Sequence, residues 1–145
     1  MLMLAALLVA LTLAPQVAAP IPIHVFTRVD PSRVTDPTRR QRLQSVADLR
    51  KGLAKKTSVA VVDAPAPGVL VLEVLESSRN DTGRPPTPAA RKERWPVVQV
   101  AIRIGDYEAE IKGSGKRWTS AADAITDTVD QWVQENREEL ARLSL

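Results

Sequence analysis

The stretch PVVQVAIRIGDYEAEIK, residues 96–112, constrains the fold more than any other part of the chain. Val98, Val100, Ile102 and Ile104 alternate with Val97, Gln99, Ala101 and Arg103. Gly105-Asp106 makes a tight reversal, and Tyr107, Ala109 and Ile111 then alternate with Glu108, Glu110 and Lys112. Successive strand side chains point to opposite faces, so the pattern predicts an antiparallel hairpin with one apolar and one wet face. The apolar face must be covered by other elements of the same chain.

Those elements are legible on either side. IPIHVFTR, residues 21–28, is apolar on both alternating sets and predicts a strand covered on both faces or near a sheet edge. Residues 38–56 predict a helix. Leu43, Val46, Ala47, Leu49, Arg50 and Leu53 follow a 3–4 spacing, with Arg50 the one polar member, and Gly52 weakens the last turns. SVAVV at 58–62 reads as a short strand, and VLVLEVLES at 69–77 as a central one. Residues 78–94 hold Pro85, Pro86 and Pro88, many charges and few large apolar groups, which predicts a long flexible loop. Residues 120–143 predict a helix with Ala122, Ile125, Val129, Trp132, Val133 and Leu140 on one stripe. The order β-α-β-β-β-β-α implies an α/β (α+β) fold. A single mixed sheet of about five strands has a right-handed parallel crossover at its start, and two amphipathic helices cover it.

Residues 1–19 carry no charge, and 2–13 form an apolar run of signal-peptide length. Pro15 and Gln16 close the run, as in a secretory signal; but no Lys or Arg precedes it, and cleavage at the small-residue site Val17 and Ala19 would leave Pro20 first, so an uncleaved inner-membrane anchor is the alternative to a cleaved signal. Either reading leaves 20–145 as one domain in a periplasmic or secreted setting. The Ala-, Arg- and Pro-rich usage points to a bacterial source. The chain has no cysteine, which excludes disulfides, thiolate metal sites, Cys nucleophiles and a lipid-modified Cys. Net charge is +3, unevenly spread: 28–56 holds nine basic and three acidic residues, and 120–145 two basic and six acidic. Arg39, Arg40, Arg42, Lys51, Lys55 and Lys56 could therefore meet an anionic polymer or lipid. The bland account is a solvated helix face. No aromatic residue interrupts 28–56, and no specific nucleic-acid motif is present.

KGSGKRWTSAAD, residues 112–123, imitates the end of a phosphate-binding loop. The full pattern needs Gly at position 110 and Ser or Thr at 117, where this chain has Glu110 and Arg117. A strand end leading to a helix cap explains the residues better, with Ser120 and Asp123 as a capping box.

SVADLRKGLAKKTSVAVVD resembles the basic-ended helix and short strand of the TolB amino-terminal domain and of related curli-assembly and lipoprotein-activator domains. PGVLVLEVLES resembles their central strand, and SAADAITDTVDQWV their closing helix. The chain departs from them in lacking a lipoprotein Cys and in its long 78–94 loop. The resemblance implies an envelope domain that binds other envelope proteins without catalysis, and it assigns no residue a role.

Candidate chemistry is sparse. His24 is the single histidine and lies in a strand pattern, so a structural role fits it better than that of a triad base. Glu108 with Glu110, and Asp123 with Asp127 and Asp130, lack calcium-loop spacing and read as solvated faces. No cofactor is expected. Trp132 belongs to the helix stripe. Trp95 and Trp118, beside Arg94 and Arg117, flank the outer ends of the hairpin, and in-register pairing would bring these ends together as a protein-contact anchor. The expectation is a non-enzymatic exported envelope domain binding a protein partner. The alternative is a binder of anionic polymer or lipid through the basic helix, with an enzyme of unknown type as the third reading.

Overall fold

The computed structural model describes residues 19–30, 32, 36–80 and 95–143. The amino-terminal apolar run up to residue 18 and residues 81–94 of the expected loop lie outside the described residues. The elements are β1 (Ile21–Phe26), α1 (Pro37–Ala54), β2 (Val59–Val61), β3 (Leu70–Asn80), β4 (Trp95–Ile104), β5 (Tyr107–Ser114), α2 (Trp118–Glu135) and α3 (Arg137–Leu143).

The five strands form one mixed sheet in the order β2-β1-β3-β4-β5. β1 pairs in parallel with β2 (Ile21 opposite Val59) and with β3 (Ile23 opposite Leu70), and β3, β4 and β5 form an antiparallel meander. The α+β class and the central place of 69–77 are as the sequence implies. Pro22 is tolerated inside the sheet for a local reason. Ile21 N donates to Ser58 O and Val62 N donates to Ile23 O, so the Pro22 nitrogen faces β3. β3 pairs with β1 only from Leu70, opposite Ile23.

β3 reaches Asn80, so residues 78–80 belong to the sheet and not to a loop. A bulge between Val74 and Glu76 shifts the register with β4 and turns Ser77 inward. Ser77 Oγ meets Ser45 Oγ of α1 at 3.0 Å, a buried polar contact where pattern alone suggested Leu43 and Ala47. Ala47 is exposed instead.

The inner face of the sheet carries Ile21, Ile23, Val25, Leu70, Leu72, Val74, Val98, Val100, Ile102 and Ile104, all buried. α1 and α2 pack on that face and against each other. Their crossing is close: a Cβ on Gly52 would lie 2.8 Å from Thr126 Oγ1, which is why the glycine sits in a helix at all. α1 starts where Asp36 accepts a hydrogen bond from Thr38 N at 2.9 Å, with Pro37 in the first turn. Arg50 is not a solvated member of the stripe. Its Nε and Nη2 donate to Val25 O at 3.0 and 2.7 Å and fasten α1 to the end of β1.

The closing helix differs from expectation in two ways. It begins at Trp118, with Arg117 as an N-cap whose side chain makes no capping bond, so Ser120 lies inside the first turn and the Ser120–Asp123 box is not formed. It also breaks at Asn136, where the Asn136 N and Nδ2 both donate to Trp132 O, giving three helices in place of two. The break turns α3 so that Leu140 enters the core. Trp132 is half-buried against that core and stacks on Tyr107, with centroids 5.5 Å apart.

The glycines of KGSGKRW have a packing role. A Cβ on Gly113 would lie 2.5 Å from Ala121 O and from Ile125 Cγ1, and one on Gly115 would lie 2.5 Å from Ser120 Cβ. The end of β5 and the first turns of α2 approach too closely for any side chain between them.

Candidate functional site

The described helices all cover one face of the sheet, and among the described residues no helix covers the other. The pleat and register place Pro22, His24, Phe26, Val71, Glu73, Val97, Gln99, Ala101, Arg103, Glu108, Glu110 and Lys112 on this outer face. An ion-pair array crosses its middle. Glu73 is only 5% exposed. It receives a bond from Arg103 Nη1 at 2.7 Å and pairs with Arg28 Nε at 3.2 Å. Arg103 Nε also donates to Glu108 at 3.2 Å. The bond to Glu73, followed by that to Glu108, holds the Arg103 guanidinium above its ordinary value. His24 is buried, stacks on Phe26 at 5.6 Å, and its Nδ1 lies 3.0 Å from Val62 O. Val62 O accepts, so Nδ1 carries the proton, an arrangement that fixes the ring structurally.

Of the predicted hairpin-end residues, Trp95 is 39% exposed and lies on the outer face beside Val97. Gly115 N donates to Pro96 O at 3.3 Å, so the strand ends do meet as expected. The two tryptophans do not share a face. Trp118 packs half-buried against the core on the helix side, with the Arg79 guanidinium 5.8 Å from its ring centre. Arg117 is exposed at the helix start, and Arg94 lies outside the described residues.

The six basic residues of α1 and its end are also divided. Lys51 and Lys55 are exposed. Lys56 is already paired with Asp127 at 3.0 Å and Asp130 at 3.9 Å, and the Asp127 bond raises its pKa above the ordinary value. Arg39 and Arg40 are both exposed; Arg39 and the half-buried Arg42 line a cleft of about 250 Å³ with Arg28, Val29 and Asp30. The cleft joins the end of β1 to the first turns of α1, far along the helix from Lys51 and Lys55. Asp30 accepts from Ser32 N at 3.0 Å and Ser32 Oγ at 2.7 Å, and these bonds hold its carboxyl below the ordinary range. Arg28 and Glu73 escaped the sequence reading of the site. Glu73, set between Leu72 and Val74 in the run VLVLEVLES, was the available signal.

Among the described residues no group of three or more His, Asp or Glu could hold a metal ion, and no helix is long and apolar enough to cross a membrane. No family model matches the chain, and no curated protein matches it. Among solved structures, a single-substitution variant of the PelC dodecamer from Paraburkholderia phytofirmans is similar at a TM-score of 0.45 and 17% sequence identity. The match covers 80% of this chain and 88% of that one.

Proposed function

We propose that this chain is a non-enzymatic, exported binding domain that docks a protein partner on the outer face of its sheet. The helix-free face is the observation that carries the reading. A sheet in a two-layer fold buries one face on its helices; among the described residues no helix covers the other face, where His24, Glu73 and Ala101 are buried in the middle and Trp95 is exposed at one end. Here that face combines an exposed Trp95 with half-buried Val97, Phe26, Pro22 and Val71 around a fixed ion-pair array. Aromatic anchors beside ordered arginines are the residue types that dominate protein–protein contacts. Export is supported by the uncharged apolar run at residues 1–19.

The test is site-specific photo-crosslinking in the native cell. A photoreactive residue at position 95 should give one discrete adduct that survives high salt, and the same residue at position 51 should give none. Identical adducts from both positions, or none from position 95, would reject the reading.

A further inference from the structure

We infer that the cleft formed by Arg28, Arg39 and Arg42 is an oxyanion site that takes a phosphate group, free or esterified. Three partly shielded cations of this chain are spent on acceptors within it. Arg50 is spent on Val25 O, Arg103 on Glu73 and Glu108, and Lys56 on Asp127 and Asp130. Arg42, half-buried, and Arg39, exposed, are in no ion pair among the described residues, and nor is half-buried Arg137 at the other end of the chain. Arg39 and Arg42 stand three residues apart on α1, so their side chains leave the same face of the helix. Arg28 faces them from the end of β1, and the cleft between is about 250 Å³.

Arg42 is half-buried at the edge of this cleft. An oxyanion in the cleft offsets the repulsion among three guanidinium groups whose nearby acids are otherwise engaged. Asp30 is held by Ser32, and Glu73 binds Arg28 from the outer-face side. Glu73 orients Arg28 and leaves part of its fork free. Guanidinium groups favour phosphate because the planar fork matches two oxygens at once and phosphate offers several such pairs. The cleft volume is several times the roughly 30 Å³ share of one water molecule, so it has room for phosphate and for part of the group it esterifies.

Two probes distinguish the source of the phosphate, using the full chain. Inorganic phosphate is titrated by calorimetry, and vesicles of phosphatidylglycerol are compared with vesicles of phosphatidylcholine in a flotation assay. The double variant Arg39→Gln/Arg42→Gln should weaken binding at least about 10-fold, while Lys51→Gln/Lys55→Gln, at the far end of α1, should change it little. Neither variant should melt below the parent chain, so that a loss of binding is not a loss of fold. Binding of inorganic phosphate without selective flotation identifies a soluble ligand. Selective flotation on phosphatidylglycerol, lost in the first variant only, identifies a headgroup. Binding to neither probe overturns the inference, as does equal weakening by the two variants, which would reveal a diffuse basic surface. Comparing the two variants cancels any anchoring by the apolar amino terminus.

Discussion

Gly113→Ala should be among the most damaging single-methyl additions this chain can receive. The new Cβ would stand 2.5 Å from Ala121 O and from Ile125 Cγ1, and 3.2 Å from Ile125 Cδ1. Comfortable carbon contacts lie at about 3.5–4.0 Å, so the methyl intrudes by about 1 Å. Ile125 could rotate, but Ala121 O belongs to the helix backbone, and relieving it means lifting the start of α2 from β5. Overpacking of this kind costs about 1–3 kcal/mol, and a backbone obstacle places it at the upper end. Replacing glycine inside a strand returns about 0.5–1 kcal/mol through the unfolded state. The net loss is about 2 kcal/mol, or a fall in Tm of roughly 5–10 °C for a domain of this size. Urea melts followed by circular dichroism measure it, and the slope against urea should stay constant. Adding Ile125→Ala should recover part of the loss, giving a coupling of at least about 0.5 kcal/mol in a double-mutant cycle. A single variant within about 0.5 kcal/mol of the parent chain, or strictly additive effects, would refute the close-approach account of this glycine.

Three further outcomes are expected. Thr126→Val should stabilise the domain by about 1 kcal/mol, because the Thr126 hydroxyl is buried without a partner and a methyl of the same shape has none to lose; a destabilised variant in urea would contradict this. Ser58 donates to Asp130, and that bond, ahead of the bond from Gln134 and the charges of Lys56 and Arg137, holds the Asp130 carboxyl below its ordinary value of 3.8 against the opposing effect of burial. Its stabilising effect is therefore complete above the ordinary value and is lost as pH falls through the lower folded value. Ser58→Ala should flatten that acid limb in pH-dependent melts, and an unchanged limb would show that the bond contributes nothing. Lys116→Ala and Ser120→Ala should each stay within about 0.5 kcal/mol of the parent chain, since Lys116 is exposed and Ser120 is not the cap. A large loss in Ser120→Ala would restore the capping box.

The fold was legible wherever one side chain alternated cleanly. Residues 96–112 paired as the sequence implies, with Ile104 opposite Tyr107 and Val97 opposite Ser114. The parallel crossover followed from element order alone. What stayed hidden depended on contacts between distant segments. The place of Arg50 in an apolar stripe made sense only once Val25 O was beside it, and Ser45, outside that stripe, is buried because a bulge in β3 brings Ser77 to it. Asn136 breaks the last helix because Trp132 O accepts both of its N–H groups, an interaction with no periodic signature. At the candidate sites, the exposure of Trp95 was readable from its place at a strand end. Its separation from Trp118 was not, because that depends on which side of β5 the following helix turns. The basic run of α1 was visible as charge, but the selection of Arg39 and Arg42 from it required Arg28, which reaches the cleft from another element.

The parallel placement of β1 has a consequence for how the chain is made. β1 lies between β2 and β3, and even its side-chain tie from Thr27 to Val74 O spans 47 residues. Synthesis proceeds at about 5–20 residues per second, so the first strand waits about 2–10 s for its partner to be built. During that interval IPIHVF, with Ile23 and Val25 destined for complete burial, is an unpaired apolar segment. The last-made strands, β4 and β5, need only each other and a tight turn at Gly105, whose φ of +54° suits a two-residue reversal. The meander is therefore the part that can form at once, and the amino-terminal strand is the part exposed to aggregation or to capture by a holding factor.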